Sequence, residues 1–292
     1  MRLGALEAGG TKMVLAIGDE KGNIFEETQF PTKTPEETMP LMIEWFKERN
    51  IEALGIGCFG PVDVNEGSPT YGYILDTPKL PWVRYNIVGA FKEALNVPIK
   101  IDTDVNGSCL GEMHFGAAKG IDSVLYITIG TGVGAGISID GKMVHGMLHP
   151  EAGHMLITRH PKDKGECVCP YHDSCFEGLA AGPSIEKRWG AKAKDLTDND
   201  EVWEIESYYI AAGLVNLCLT VSPKKIILGG GVMHQEKLFP LIRKKFTELM
   251  GGYIRTPELS DMDSYIVPNS LNDEQGILGA IYLANEALKS NN

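Results

Sequence analysis

Leu3-Gly-Ala-Leu-Glu-Ala-Gly-Gly-Thr-Lys-Met-Val-Leu-Ala-Ile17 opens the chain, and Val124-Leu-Tyr-Ile-Thr-Ile-Gly-Thr-Gly-Val-Gly-Ala-Gly-Ile-Ser-Ile139 answers it further on. Each is an apolar β run that stops at glycines and resumes, the pattern of a hairpin bent around a Gly-rich turn. Laid on one another, Gly9 falls on Gly130 and Asp19 on Asp140. Two matched hairpins predict an α/β fold of two related βαβ-type lobes, each offering a glycine turn to a ligand held in a cleft between them.

Working outward, Thr38–Arg49 carries apolar residues at helical spacing and precedes a buried-type strand, Ala53–Ile56. A helix at Val88–Ala94, a strand at Pro98–Ile101 and a helix from Asn106 to about Phe115 complete a mixed α/β half. Beyond the second hairpin, an irregular stretch from about His149 to Glu177 leads to helices near Pro183–Trp189 and Trp203–Leu219. A strand at Lys225–Leu228 follows, and an apolar helix, Gly276–Ala287, closes the chain. The expected division is 1–117 as a smaller N-terminal lobe, completed by the C-terminal helix at about 275–292, and 118–274 as a larger lobe.

The 292 residues carry a net charge of −12 with a pI near 5.1. Nucleic acid and anionic membranes both require positive surface charge, so neither is expected as a partner. Glu7 interrupts the opening before any apolar stretch reaches signal-peptide length, and no segment approaches membrane-spanning length, so a cytoplasmic protein is expected. Glycine is abundant, with 34 residues, and concentrates in short clusters rather than linkers.

Three constellations carry chemistry. Glycine turns after strands, at Gly9-Gly10-Thr11-Lys12, Gly130-Thr131-Gly132-Val133-Gly134 and Gly229-Gly230-Gly231, leave backbone N–H groups free to meet phosphate oxygens, and Thr11, Thr131 and Lys12 add donors. In Ile101-Asp-Thr-Asp-Val-Asn106 a strand runs into polar residues and then a helix. There Asp104 is placed to accept a hydroxyl proton and Asn106 to orient a polyol, or either residue caps the helix. Third, seven of the chain's histidines and cysteines fall between His149 and Cys175. His154, Cys169, His172 and Cys175 supply the four ligands of a closed, structural zinc site, with Cys167 as the alternative to Cys169. Such a site would pin Glu151 and Glu177, which flank the ligands.

At these motifs, together with GIGCFGPVD, TYGYILDTPKLPW, HPEAGH and LNDEQGILGA, nearly the whole chain resembles the bacterial ROK-family sugar kinases, and among them the fructokinases. Glu7-Ala8 before the Gly-Gly-Thr turn, TPKLPW and CPYH favour that branch. The resemblance implies the actin-like/hexokinase-like ATPase fold, ATP, Mg²⁺, a zinc site and a homodimer. By position Asp104 matches the family's catalytic base. Thr103 stands where the family's sugar contact precedes that base, and Glu151, His154 and Glu177 match sugar-binding positions. Gly10, Thr11, Lys12, Thr131 and Gly132 match the phosphate turns, Gly230 and Gly231 the adenosine side, and Glu7 the holder of Mg²⁺. In this chain Ser174 falls where many members place the last cysteine, so Cys175 and His172 complete the metal set. The implied reaction is attack of a hexose hydroxyl on the γ-phosphoryl group of Mg-ATP, fructose leading, with mannose and glucose as alternatives. Sugar-responsive repressors of the same family carry a DNA-binding module ahead of the kinase-like part, and with the phosphate motif starting at Glu7 none is expected here.

Overall fold

The computed structural model describes residues 1–290; the last two positions of the expected closing helix, 291 and 292, lie outside the described residues. In chain order the elements are β1 (Leu3–Ala8), β2 (Lys12–Gly18), β3 (Ile24–Pro31), α1 (Pro35–Arg49), β4 (Ala53–Cys58), α2 (Ile87–Leu95), β5 (Ile99–Thr103) and α3 (Asp104–His114). Then come β6 (Val124–Ile129), β7 (Val133–Ile139), β8 (Lys142–Met143), α4 (Phe176–Ala180), α5 (Gly182–Trp189), α6 (Asp200–Val221), β9 (Lys225–Gly229) and α7 (Leu238–Met250). Two one-turn helices, α8 (Pro257–Ser260) and α9 (Met262–Tyr265), β10 (Ile266–Pro268) and α10 (Gln275–Ser290) finish the chain. Among the described residues no helix is long and apolar enough to cross a membrane.

The chain forms two compact units. The first comprises Met1–Gly120, Val144–His149 and the residues from Ser270 onward; the second comprises Ile121–Met143 and Pro150–Asn269. The lobes expected from the sequence did not include Val144–His149 in the first. Two histidines explain the return: His149 Nε2 accepts the Val62 N–H at 3.3 Å, and His145 reaches Asp102 at the end of β5.

The sheet of the first unit runs β3-β2-β1-β4-β5 and that of the second β8-β7-β6-β9-β10. In both, the first three strands are antiparallel and the last two run parallel to the third. The matched hairpins therefore belong to a duplicated sheet. They differ in their turns. Ala8 pairs with Met13 across four residues, whereas Ile129 pairs with Val133 across three, so the strand registers beyond the glycines are offset by one.

The β1–β2 strands are apolar on both faces because both are covered. Leu6, Met13, Leu15 and Ile17 pack with α1 and α2 residues such as Met42, Phe46 and Phe91. Ala5, Val14 and Ala16 face Ile277, Ala280 and Ile281 of α10. That second face is built of small residues, and α10 approaches it at backbone distance: a Cβ on Gly55 would lie 1.8 Å from the Ala280 carbonyl oxygen. Burial of the apolar faces is the main stabilising term on both sides of the sheet.

Candidate active site

In the first unit, β5 delivers the acidic motif and α3 begins at Asp104. The helix is capped by Thr103, whose Oγ accepts the Asn106 N–H at 3.1 Å. Neither Asp104 nor Asn106 is the cap that the sequence allowed for. A hydroxyl one residue ahead of the first helical position reaches the third N–H, which residues inside the helix cannot do. Asp104 stands in the first turn, where the helix dipole favours a carboxylate, and its Oδ1 accepts the Val105 N–H at 2.9 Å.

Asn106 is 1% exposed, and its amide nitrogen donates to Asp102 Oδ1 at 2.6 Å. Asp102, itself 4% exposed, also accepts the Thr103 N–H and lies 3.1–3.2 Å from His145 Nε2. Its carboxylate holds the His145 imidazole above its ordinary pKa. The sequence reading missed both residues. Asp102 lies inside the motif that marked Asp104, but His145 is 43 positions away from it and carries no local signal.

Glu7, at the end of β1, lies under the first turn of α10, where a Cβ on Gly276 would stand 2.6 Å from its carboxyl carbon. Burial, and after it the charge of Asp104, push the Glu7 pKa up to about 7. The turn that follows is fixed by Gly9 N–H to the Lys12 carbonyl at 2.9 Å and by Thr32, whose Oγ donates to the Gly9 carbonyl at 2.7 Å. Gly10 is half-buried, and Thr11 and Lys12 are exposed.

In the second unit, the two remaining glycine motifs come together. Gly130 N–H closes the turn on the Gly132 carbonyl at 2.9 Å, and Gly182 N–H, opening α5, donates to the Gly130 carbonyl at 2.8 Å. A Cβ on Gly130 would lie 3.8 Å from the Gly231 nitrogen. Gly230 has φ +89° and would strike the Ile129 carbonyl with any side chain, so only glycine carries the chain past β6 there. A pocket of about 440 Å³ is lined by Gly130, Thr131, Gly182, Glu186, Lys192 and Gly231 among others. Gly182, Glu186 and Lys192 were not foreseen, since nothing near them in sequence marks a ligand. Gly134 and Gly229 are strand residues, both opposite Thr128, and a Cβ on Gly229 would press on the Tyr126 hydroxyl at 2.5 Å.

The His/Cys segment gathers His154, Cys169, His172 and Cys175 with their ligand atoms all within 4.8 Å of one another. His154 Nδ1 is 3.8 Å from Cys169 Sγ and 3.9 Å from Cys175 Sγ, and His172 Nδ1 is 3.5 Å from Cys169 Sγ. A zinc tetrahedron has ligand–ligand edges of roughly 3.3–3.8 Å. Tyr171 N–H donates to Cys169 Sγ and Gly178 N–H to Cys175 Sγ, the donors a thiolate needs. Cys167 stands outside the cluster, packed where a Cβ on Gly178 would be. The other imidazole nitrogen of His154 is 4.0 Å from Glu177 Oε1, and Glu177 Oε2 accepts the Val133 N–H at 3.0 Å. Glu177 thus bridges the His/Cys cluster and the Gly132 turn, while Glu151 is exposed just ahead of the short helix Ala152–His154.

The ROK family model matches residues 3–287. The chain is 50% identical over 289 residues to a protein of Bacillus subtilis, covering 99% of this chain and 97% of the relative. It is 47% identical over 290 residues to the fructokinase of Pediococcus pentosaceus, covering 99% of this chain and 100% of the relative. Its fold superposes on the ROK family glucokinase of Streptomyces griseus, solved with glucose and AMPPNP, with a TM-score of 0.77 and 25% identity over 98% of this chain and 100% of the other.

Proposed function

The chain belongs to the ROK family, with the actin-like ATPase fold, and we propose that it is an ATP-dependent hexose kinase converting D-fructose to fructose 6-phosphate. The observation that carries this reading is the full-length identity to fructokinases together with Asp104 at the mouth of α3, close enough to the buried Glu7 to raise its pKa. Asp104 takes the proton of the attacking hydroxyl, and the Gly10–Thr11 and Thr131–Gly132 turns offer N–H donors to the phosphates. Gly230 and Gly231 serve the adenosine side. Thr103, Asn106, Glu151, His154 and Glu177 hold the sugar in this reading. Asn106 does so through Asp102, its amide nitrogen being already engaged there.

The residues present fit two metals. A buried carboxylate with a second one nearby is relieved by a divalent cation, which supports Glu7 as the holder of Mg²⁺. Bound there, Mg²⁺ would neutralise charge on the β- and γ-phosphates. Two thiols and two imidazoles with N–H donors on both sulfurs support Zn²⁺ at His154, Cys169, His172 and Cys175, a structural role with no open position. A cytoplasmic homodimer completes the proposal, in keeping with an enzyme that draws on ATP and free sugar.

A coupled ATP-consumption assay across fructose, mannose, glucose and N-acetyl sugars tests the reading. Fructose should give the highest kcat/KM, and Asp104→Asn should lower kcat by about 10²–10⁴ while retaining ATP binding. Near-normal turnover in that variant would remove Asp104 from the chemistry, and preference for another hexose would reassign the substrate.

A further inference from the structure

A second lysine stands over the first glycine turn. A Cβ placed on Gly10 would lie 3.2 Å from Cε and 3.8 Å from Nζ of Lys79, which is 69 positions away in sequence. The backbone of Lys79 is anchored on both sides. Its N–H donates to Thr77 Oγ at 3.4 Å, and its carbonyl accepts the Trp82 N–H at 2.8 Å, closing the short helix Leu80–Trp82. Trp82 is 1% exposed, donates its ring N–H to the Lys33 carbonyl at 2.6 Å and meets Phe59 and Tyr85 edge-on. Trp82 thus holds the Lys79 main chain in place while the side chain stays at the surface.

The Lys79 ammonium has no carboxylate within ion-pair distance among the described residues. In a chain of net charge −12, where carboxylates outnumber cations, an unpaired ammonium on an anchored main chain beside a turn of small residues calls for an anion. Lys12, at the end of the same turn, is also at the surface. A group of high negative charge that is small enough for backbone N–H approach, as a terminal phosphoryl group is, suits both the ammonium and the turn.

We propose that Lys79 contacts the γ-phosphoryl group during its transfer, as a catalytic residue additional to Asp104. The proposal rests on the kinase reading above. In the step itself, the bond from the γ-phosphorus to the β,γ-bridging oxygen breaks as the bond to the sugar oxygen forms. ADP leaves with the electron pair, Asp104 receives the hydroxyl proton, and the lysine stays protonated, stabilising charge on the oxygens being transferred. The TPKLPW stretch then has a physical purpose: Trp82 is the anchor and Lys79 the contact.

The test compares full-length wild type, Lys79→Met and Lys79→Arg by titration calorimetry with Mg-AMPPNP and Mg-ADP, and by steady-state kinetics with fructose. Lys79→Met should weaken AMPPNP binding by roughly 10-fold or more while leaving ADP within about twofold, and lower kcat by a similar factor with little change in KM for fructose. Lys79→Arg should recover most of both, and the melting temperatures of all three should agree. Equal effects on both nucleotides, no effect, or a change confined to KM for fructose would overturn the assignment. A wild type that does not phosphorylate fructose, yet binds AMPPNP better than ADP through Lys79, would overturn the kinase reading and with it the catalytic part of the assignment, keeping only the γ-phosphate contact. A wild type that binds neither nucleotide would overturn both.

Discussion

At about pH 8 and without magnesium, Glu7→Gln should be more stable than the wild type, and near pH 4.5 the two should melt together. The ordinary carboxyl value of 4.5 is raised to about 7 in the fold by burial and by Asp104, so the protonated form is favoured. Stability is then lost as pH climbs from 4.5 to about 7 and stays lost above, a penalty the neutral amide does not suffer. Melting curves at the two pH values measure the gap, and added Mg²⁺ should narrow it by relieving the charge. Equal melting at the higher pH would show that Glu7 is not strained by its surroundings. Two further local features change how substitutions are read. Thr103 is a cap as well as a neighbour of Asp104, so its loss acts on stability first. Gly132 faces Glu177, and a Cβ there would stand 2.6 Å from Oε2, so a bulky residue disturbs that carboxylate whatever else it does at the turn.

Between elements, α3 packs on α10 at backbone distance, as β4 does. A Cβ on Gly279 would lie 1.8 Å from the Gly107 carbonyl oxygen, and one on Gly111 would lie 2.1 Å from that of Gln275. Glycine inside a helix ordinarily costs about 0.5–1 kcal/mol, so these positions are retained for backbone contact. Gly279→Val should force the helices apart, destabilise by about 1–3 kcal/mol or more, and reduce activity because α3 carries Asp104. Gly231→Ala is the control: nothing lies within 4 Å of its would-be Cβ and its φ is not positive, so denaturant midpoints should separate the two variants clearly. Glu112, fully buried near the end of α3, adds a polar anchor by accepting from the Ala117 and Ser270 N–H groups. These contacts explain why α10, last in sequence, belongs to the first unit.

For the whole molecule, purified protein should hold about one zinc per chain, and chelation should lower its melting temperature, since an ion bound to the folded state alone stabilises it by mass action. Elemental analysis should find the metal lost in Cys169→Ser and kept in Cys167→Ser, and sugar affinity should fall with the metal through His154 and Glu177 more than ADP affinity does. Zinc retained in Cys169→Ser would refute the ligand set. The sequence alone determined the two glycine hairpins, because strand period and turn chemistry act over a few residues, and the duplicated sheets follow their match. It also determined the set His154, Cys169, His172 and Cys175 with Cys167 as rival, since three of the donors lie within one short loop. Only the tertiary structure gathers Cys169, rather than Cys167, with His154, His172 and Cys175. It likewise joined Asp102 to His145, set Gly182 on the Gly130 turn and placed Lys79 over Gly10. Each of those pairs is far apart along the chain, and no local periodicity or propensity encodes a contact whose loop-closure entropy is offset only by packing of the assembled core.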